Sequence, residues 1–270
     1  MTRALRVAHV AAALLVGVNT TAQAQSLGRR VDGAAGNTVQ FSFASRPGVC
    51  GDGKTYIRTD TDSWYGSMND FTRSQPCETG AVRVVVVKAG SEVIKLEPYA
   101  GPVAVAPEAT DLGRVSAADA VAYLGTLARG GEGRVAREAL LPLALADSAS
   151  VSPILLELAR DQARPRELRR SALSWLGRRR GTGDAIPPSQ LVTIVRGFVT
   201  DQNEHNAFRQ SGVGVLARFD RGEGIPALVE IAQQTTDPWL AKQATEALAR
   251  SGDPRGRRAV RAIAEREDAP

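Results

Sequence analysis

The sequence contains very few residues of the kinds that usually carry catalysis. Its 270 residues include 2 histidines and 2 cysteines, and His9 lies in an N-terminal segment that we expect to be removed. His205 is then the single candidate imidazole base. It lies beside Asp201 and Glu204 at a predicted helix–helix turn, where a histidine is typically a solvated turn residue. Because no Gly-x-Ser-x-Gly nucleophile elbow, Walker motif or dinucleotide-binding glycine pattern is present, the sequence favours a binding role over an enzymatic one.

Ligands for a metal ion are equally scarce. Zinc sites are built mainly from cysteine and histidine, and the chain has too few of both. The Asp60-Thr-Asp62 pair resembles the start of a calcium loop, but the following positions lack the loop's required glycine and its distal glutamate. We therefore expect no metal and no cofactor.

No apolar run is long enough to cross a bilayer. The most apolar stretch, residues 7–18, has 12 residues, whereas a transmembrane helix needs about 20. It follows Arg3 and Arg6 and precedes Ala22-Gln-Ala24, which is the pattern of a secretory signal peptide. We expect cleavage after Ala24, no membrane anchor, and export to a periplasmic or extracellular location.

The excess of positive charge is small. The chain has 34 basic and 29 acidic residues. Loss of Arg3 and Arg6 with the signal peptide leaves 32 basic against 29 acidic residues, a net charge of +3. Since this excess does not by itself indicate a polyanion, nucleic acid is not the expected ligand.

The two cysteines suit an exported protein. An oxidising compartment favours a bond between Cys50 and Cys77, although a reactive thiol and a metal site are alternatives. The bridge would close a loop of 28 residues, counting both ends, for which chain-entropy estimates give about 3 to 4 kcal/mol of stabilisation.

Strand patterns dominate residues 25–105. Val39, Phe41 and Phe43 alternate with polar residues, which is typical of a half-buried strand. Residues 83–87 and 92–96 flank Gly90 and predict a hairpin, and residues 56–58 predict a short strand.

Aromatic residues are also few, and 7 of the 13 lie in this region. Most of them should fill the core of a small β domain. Trp64 and Tyr65 lie beside polar residues inside the disulfide loop, so they are the candidates for an exposed aromatic contact.

A helical array follows a Gly- and Pro-containing segment at residues 106–115, which has the composition of a linker. Small residues precede leucines by four positions at intervals of 33, 40 and 32 residues. The four pairs are Ala139/Leu143, Ala172/Leu176, Gly212/Leu216 and Ala244/Leu248. Such a period is typical of stacked helix pairs, each of which needs its neighbours to bury its apolar face.

The last repeat carries a family resemblance. The stretch from Asp237 to Pro254 contains Asp-Pro, a basic residue, alanine and Ala-Leu in an order that resembles the HEAT-like repeats of the phycobilisome-lyase type. An earlier stretch with Arg169, Ala172 and Leu176 repeats the pattern without the aspartate. The resemblance covers roughly residues 116–267 and implies an α-solenoid used for protein contacts. It does not imply lyase chemistry, because these repeats occur in many binding proteins.

Arginines cluster in two places, where they have two interpretations. They could bind an acidic protein or polymer, with Arg166, Arg169 and Arg170 as the candidate binding residues. Alternatively, the arginines interact favourably with the negative ends of helix dipoles and keep the outer face of the helices in contact with solvent. If the arginine side chains converge on one concave face, the binding interpretation is favoured over the solvated outer face. The clusters are Arg164, Arg166, Arg169, Arg170 and residues 178–180, and then Arg255, Arg257, Arg258 and Arg261.

Together these features predict an α+β multidomain protein. It should have a signal peptide at residues 1–24, a small disulfide-pinned β domain at 25–105, a linker at 106–115 and a HEAT-like α-solenoid of about four helix pairs at 116–270. We expect an exported scaffold that binds another protein, which the sequence does not identify. The alternatives are binding of an acidic polymer through the Arg-rich helices and, third, an enzyme.

Overall fold

The computed structural model describes residues 27–59, 64–66, 77–102, 104, 106–130, 133–148, 150–179 and 182–267. The predicted signal peptide and the pair Asp60 and Asp62 lie outside these residues. Within them the chain divides into two compact units. The first holds the residues up to Ile154 together with Thr182–Asp184, and the second holds the residues from Leu155 onward apart from that tripeptide. The predicted α+β composition, a small sheet domain followed by helices, is confirmed.

The described strands all belong to the first unit. In chain order they are β1 Thr38–Ala44, β2 Cys50–Gly51, β3 Tyr56–Arg58, β4 Trp64–Gly66, β5 Glu78–Thr79, β6 Ala81–Ala89, β7 Glu92–Ala100 and β8 Thr110–Arg114. They form two four-stranded sheets, one in the order β7-β6-β1-β8 and one in the order β4-β3-β2-β5.

The larger sheet carries the apolar core of the first unit. β1 pairs antiparallel with β6, and Phe41 lies opposite Val84. Val39, Phe41 and Phe43 are fully buried, because alternate positions of a strand point to the same face. The strand predicted at these residues is confirmed, as is the predicted hairpin, which β6 and β7 form around Gly90.

The smaller sheet contains one end of the disulfide. Cys50 in β2 is bonded to Cys77, and the two Cα atoms are 5.1 Å apart. β2 pairs with β3 on one side and with β5 on the other. The bridge therefore ties the residue that precedes β5 to the strand beside it. Both the predicted Cys50–Cys77 bond and the predicted short strand at Tyr56–Arg58 are confirmed.

The predicted linker at residues 106–115 contains a strand. β8 pairs parallel with β1, and Val115 N donates to Ser42 O at 2.8 Å. Its sequence, Thr-Asp-Leu-Gly-Arg, has no apolar alternation, and none of its residues is fully buried. Backbone pairing with β1, rather than a buried row of side chains, holds this strand in place. That is why its composition resembles that of a linker.

The helices begin with a short one at residues 27–33 (α1). The others are α2 Ala117–Gly130, α3 Gly133–Leu145, α4 Val151–Arg160, α5 Arg166–Arg178, α6 Pro188–Thr200, α7 Asn206–Ala217, α8 Ile225–Gln234, α9 Pro238–Arg250 and α10 Pro254–Glu267. Of the helices described, none has the length and apolar character needed to span a membrane.

Helices α2 and α3 group with the sheet rather than with the later helices. α2 contacts β1, and α3 contacts β6 and β7. Leu96 N on β7 donates to Glu138 Oε2 on α3 at 2.9 Å, so a helix side chain satisfies a backbone donor on an edge strand. The division between the units accordingly lies after Ile154, whereas the sequence placed a domain boundary at residues 106–115.

The second unit is built from helices that pack on their neighbours along the chain. α6 packs on α7 and α8 on α9, and α7 also contacts α5 and α9. Counting α4–α5, α6–α7 and α8–α9 as pairs, we call α5, α7 and α9 the second helices. A Cβ added to Gly212 would lie 2.6 Å from Val199 Cγ2, so α6 passes close to α7 at this small residue. The predicted small and leucine positions on the second helices are all buried: Ala172, Leu176, Gly212, Leu216, Ala244 and Leu248.

Candidate functional site

Two of the second helices carry a buried arginine at the same position. Arg169 and Arg209 lie four residues after the N-cap residues of α5 and α7, and they are 7% and 4% exposed. Arg169 Nε donates to Ala159 O at 3.1 Å, and Arg209 Nε donates to Val199 O at 2.9 Å. Carbonyls in the last turn of a helix lack an intrahelical donor. Each arginine therefore completes the end of the first helix in its own pair.

The same guanidinium groups also contact the next pair. Arg169 Nη2 lies 2.6 Å from Glu204 Oε1, and its Nη1 lies 3.1 Å from Oε2. Its Cζ is 4.2 Å from the centroid of the Phe208 ring. The buried arginines thus join successive helix pairs through both charge and ring contact.

Arg209 repeats this arrangement one pair later. Its Nη1 lies 2.8 Å from Asp237 Oδ2, and its Cζ lies 5.3 Å from the Trp239 ring centroid. The hydrogen bond from Arg209 lowers the pKa of the Asp237 carboxyl. The series stops at α9, where Ala241 occupies the corresponding position.

This geometry changes the interpretation of two residues. Arg169 was a candidate binding residue, but it is buried between helix pairs and offers little exposed surface. Glu204, which the sequence placed at a helix–helix turn, is its buried partner. His205 is exposed and caps α7, where its Nδ1 accepts from Ala207 N at 3.1 Å. That role agrees with the interpretation of His205 as a turn residue.

A groove runs between α5 and α7. Its volume is about 380 Å³. Arginine and serine side chains dominate its lining, and Glu167 is the single acidic member. The lining residues are Glu167, Arg170, Ser171, Ser174 and Arg178 from α5, and Gln210, Ser211, Gly214 and Arg218 from α7 and its C-cap.

Hydrogen bonds hold Arg170 and Arg178 in place. Arg170 Nε donates to Ser211 Oγ on the neighbouring helix at 3.0 Å, and its Nη1 lies 3.1 Å from Glu167 Oε1. Arg178 Nη1 donates to Ser174 Oγ at 2.9 Å. Since a guanidinium has five N–H donors, these contacts orient Arg170 and Arg178 without using all of their donors. Within the described residues, Arg170 Nη2 donates to no protein group.

The groove arginines follow the repeat. Arg178, Arg218 and Arg250 each lie 13 residues after the N-cap residue of their helix. They are separated by 40 and 32 residues, as are the buried small residues. Arg170 and Lys242 likewise occupy equivalent positions on α5 and α9. Arg218 and Arg250 were not among the predicted contact residues, although the intervals between the small residues predict both.

The remaining predicted contact residues lie elsewhere. Arg166 is exposed at the start of α5 and does not line the groove. Arg255 on α10 donates from Nη2 to the carbonyls of Arg221 and Gly222 at 3.1 and 3.0 Å, so it anchors the closing helix. Trp64 and Tyr65 form β4, but their side chains lie outside the described part of the chain, as does Arg180.

In the part of the chain that the structure describes, no group of three or more histidine, cysteine, aspartate or glutamate side chains could hold a metal ion. Comparison with known proteins found no matching family model, no matching curated protein and no matching solved structure.

Proposed function

We propose that this protein is an exported scaffold that binds another protein along its second helices, which act as the inner face of a HEAT-like α-solenoid. The observation that carries the proposal is the groove between α5 and α7, where Arg170, Arg178 and Arg218 come together from two successive repeats. Interpreting the arginines as dipole partners explains cations near helix ends, but it gives no reason for a mid-helix Arg170 to share a groove with them.

Two further features support this function. Pairing of α6 with α7 and of α8 with α9 suits an array in which each unit buries its face against the next, and arrays of this kind present continuous binding surfaces. The Cys50–Cys77 bond suits an exported protein, because disulfides persist in oxidising compartments.

Binding of an acidic polymer is the second candidate function. The same groove supports it, since three arginines against one glutamate give the lining a positive charge. Binding that consists mainly of phosphate contacts would weaken steeply with salt, with a slope of about −0.9 per neutralised phosphate on double-stranded DNA.

Charge reversal in the groove tests the proposed function. The tagged protein is exported and recovered with bound proteins from the same compartment, alongside an Arg170→Glu/Arg218→Glu variant. Arg166→Glu is the matched control, because Arg166 lies on α5 outside the groove. We expect a protein that the wild type and the control retain and that the double variant loses by at least about tenfold, which corresponds to ~1.4 kcal/mol.

Two outcomes would contradict this function. Equal recovery with all three forms would place the binding surface outside the groove. Recovery of a nucleic acid or an acidic glycan in place of a protein would favour the second candidate.

A further inference from the structure

The residues that line the groove indicate which kind of ligand it can bind. It contains no large apolar side chain, so it offers no pocket for the apolar anchors by which an amphipathic helix binds a groove. Arginine presents a planar fork of donors that matches a carboxylate with two parallel hydrogen bonds. Serine hydroxyls from both helices add neutral donors and acceptors beside the arginines. These groups favour a polar, negatively charged ligand.

The floor of the groove leaves space for a polypeptide backbone. Its small residues are Ser171 and Ser174 on α5 and Ser211 and Gly214 on α7. A Cβ added to Gly214 would meet nothing nearer than the Arg218 guanidinium, at 3.8 Å. An extended chain can therefore lie between the helices with its side chains directed toward Arg170, Arg178 and Arg218.

The repeat sets the spacing of the charges that such a chain should carry. Packed helices lie about 8 to 10 Å apart. An extended chain in the polyproline II conformation has three residues per turn and rises about 3.1 Å per residue, so every third side chain lies on the same face. Cations at equivalent positions on successive second helices are thus spaced like every third residue of an extended peptide. Arg178, Arg218 and Arg250 form such a row. Arg170 and Lys242 share a second position on α5 and α9, where the equivalent residue of α7 is the neutral Gln210.

Acidic residues within the rows distinguish a peptide from a densely charged polymer. Glu167 contacts Arg170 in the groove at 3.1 Å, and Glu246 lies 3.5 Å from Arg250 on α9. A nucleic acid, which carries a charge on every nucleotide, would bring phosphates close to these carboxylates. A peptide with spaced acidic residues places its charges at the arginines and neutral groups between them.

We propose that the groove between α5 and α7 binds an extended acidic segment of the partner protein, with carboxylate side chains about three residues apart. This proposal rests on the proposed function and names the chemistry of the partner. Residues of the segment between the acidic positions lie over the serines and Gly214.

Synthetic peptides test this spacing directly. The probes are three fluorescein-labelled dodecapeptides made of glutamate, serine and glycine. One has glutamate at every third position, one has the same four glutamates in a single run, and one has glutamine at every third position. Fluorescence anisotropy with the purified exported protein at about 50 mM salt gives the dissociation constants. We expect the spaced peptide to bind at least fivefold more tightly than the clustered one, and the glutamine peptide to bind least.

Single substitutions locate the binding. Arg218→Ala should weaken binding of the spaced peptide by about tenfold, whereas Arg166→Ala should leave it unchanged. Arg218 is exposed at the C-cap of α7, and the circular dichroism melt of this variant shows whether the fold is kept. Arg170→Ala is the second variant, and its circular dichroism melt shows whether loss of the Ser211 contact disturbs the fold.

The outcomes separate this proposal from the function on which it rests. Equal affinity for the spaced and clustered peptides would overturn the spacing, while loss of the cellular partner in the Arg170→Glu/Arg218→Glu variant would still support protein binding by the groove. Tighter binding of a labelled oligothymidine or of heparin than of the spaced peptide would overturn the peptide proposal in favour of an acidic polymer. If the peptides bind the Arg218→Ala and Arg170→Ala variants as tightly as the wild type, the proposal is overturned.

Discussion

The two units of this protein bury apolar surface in different ways. In the first, β1 pairs with β6 and β8, which lie far along the chain, and a disulfide closes a further loop. In the second, the helices from α5 to α10 contact near neighbours in the chain. In a sheet paired in this way, each strand has a different environment and no surface position is repeated. A row of similar helices, in contrast, repeats equivalent surface positions. The row of cations on the second helices, Arg178, Arg218 and Arg250, follows from that repetition, and it makes this unit the better candidate for an extended ligand.

We expect the two units to be destabilised by the loss of different contacts. The sheet unit depends on distant pairing and on its disulfide, and the helical unit depends on contacts between successive pairs. Native-state hydrogen exchange followed by mass spectrometry separates the two, because it measures protection of β6 and α5 independently.

Removal of one partner from the buried ion pair should have the largest effect. Glu204→Ala leaves the Arg169 charge buried without its carboxylate, and such changes cost about 3 to 5 kcal/mol. Exchange should accelerate across the second helices and leave β6 unchanged. Glu230→Ala is the control, since it removes an exposed partner of Arg196, a kind of pair that contributes about 0 to 1 kcal/mol. Similar losses for the two variants would show that burial of the Arg169–Glu204 pair has no energetic consequence.

Loss of the disulfide should destabilise the other unit. A Cys50→Ser/Cys77→Ser variant releases the loop between these residues, which chain-entropy estimates value at about 3 to 4 kcal/mol. Protection should fall in β6 and β7, while the helical unit keeps its exchange rates. Faster exchange in α5 or α7 in this variant would mean that the two units do not unfold independently.

Acid should produce a smaller effect, at the C-terminal end of the helical unit. A hydrogen bond from Arg255 lowers the pKa of Asp253 from its ordinary value of 3.8 to about 2. Because the folded-state pKa is the lower one, the contact stabilises the fold above about pH 4, and this stabilisation is lost as the pH falls toward 2. Carboxyl NMR should find Asp253 titrating near 2, and Arg255→Ala should move that titration upward. An unchanged value in the variant would exclude Arg255 as the cause.

Much of the fold could be predicted from local sequence. Period-two alternation located β1, and the Asp237-Pro238 pair located the start of α9, where Asp237 Oδ1 accepts from Trp239 N at 3.0 Å. Both features depend on residues adjacent in sequence. β8 could not be found in this way, because its only signature is backbone pairing with a distant strand. The grouping of α2 and α3 with the sheet likewise depends on contacts that no local pattern encodes.

The candidate site was predictable to a lesser degree. Arg170 was identified from the local density of arginines, and Arg169 was included for the same reason. The burial of Arg169 could not be predicted, because its partner Glu204 lies 35 residues further along the chain. Arg218 was within reach of the sequence, since the interval that relates Ala172 to Gly212 also relates Arg178 to Arg218.

Photo-crosslinking in the exported protein tests the central claim most directly, namely that the second helices form the binding face. A photoreactive amino acid at Ser174 would lie in the groove on α5, and one at Thr193 would lie on the exposed side of α6, a first helix. We predict a covalent adduct with a protein partner from position 174 and none from position 193. An adduct from position 193 alone, or equal adducts from both positions, would contradict the proposal that the partner binds along the second helices.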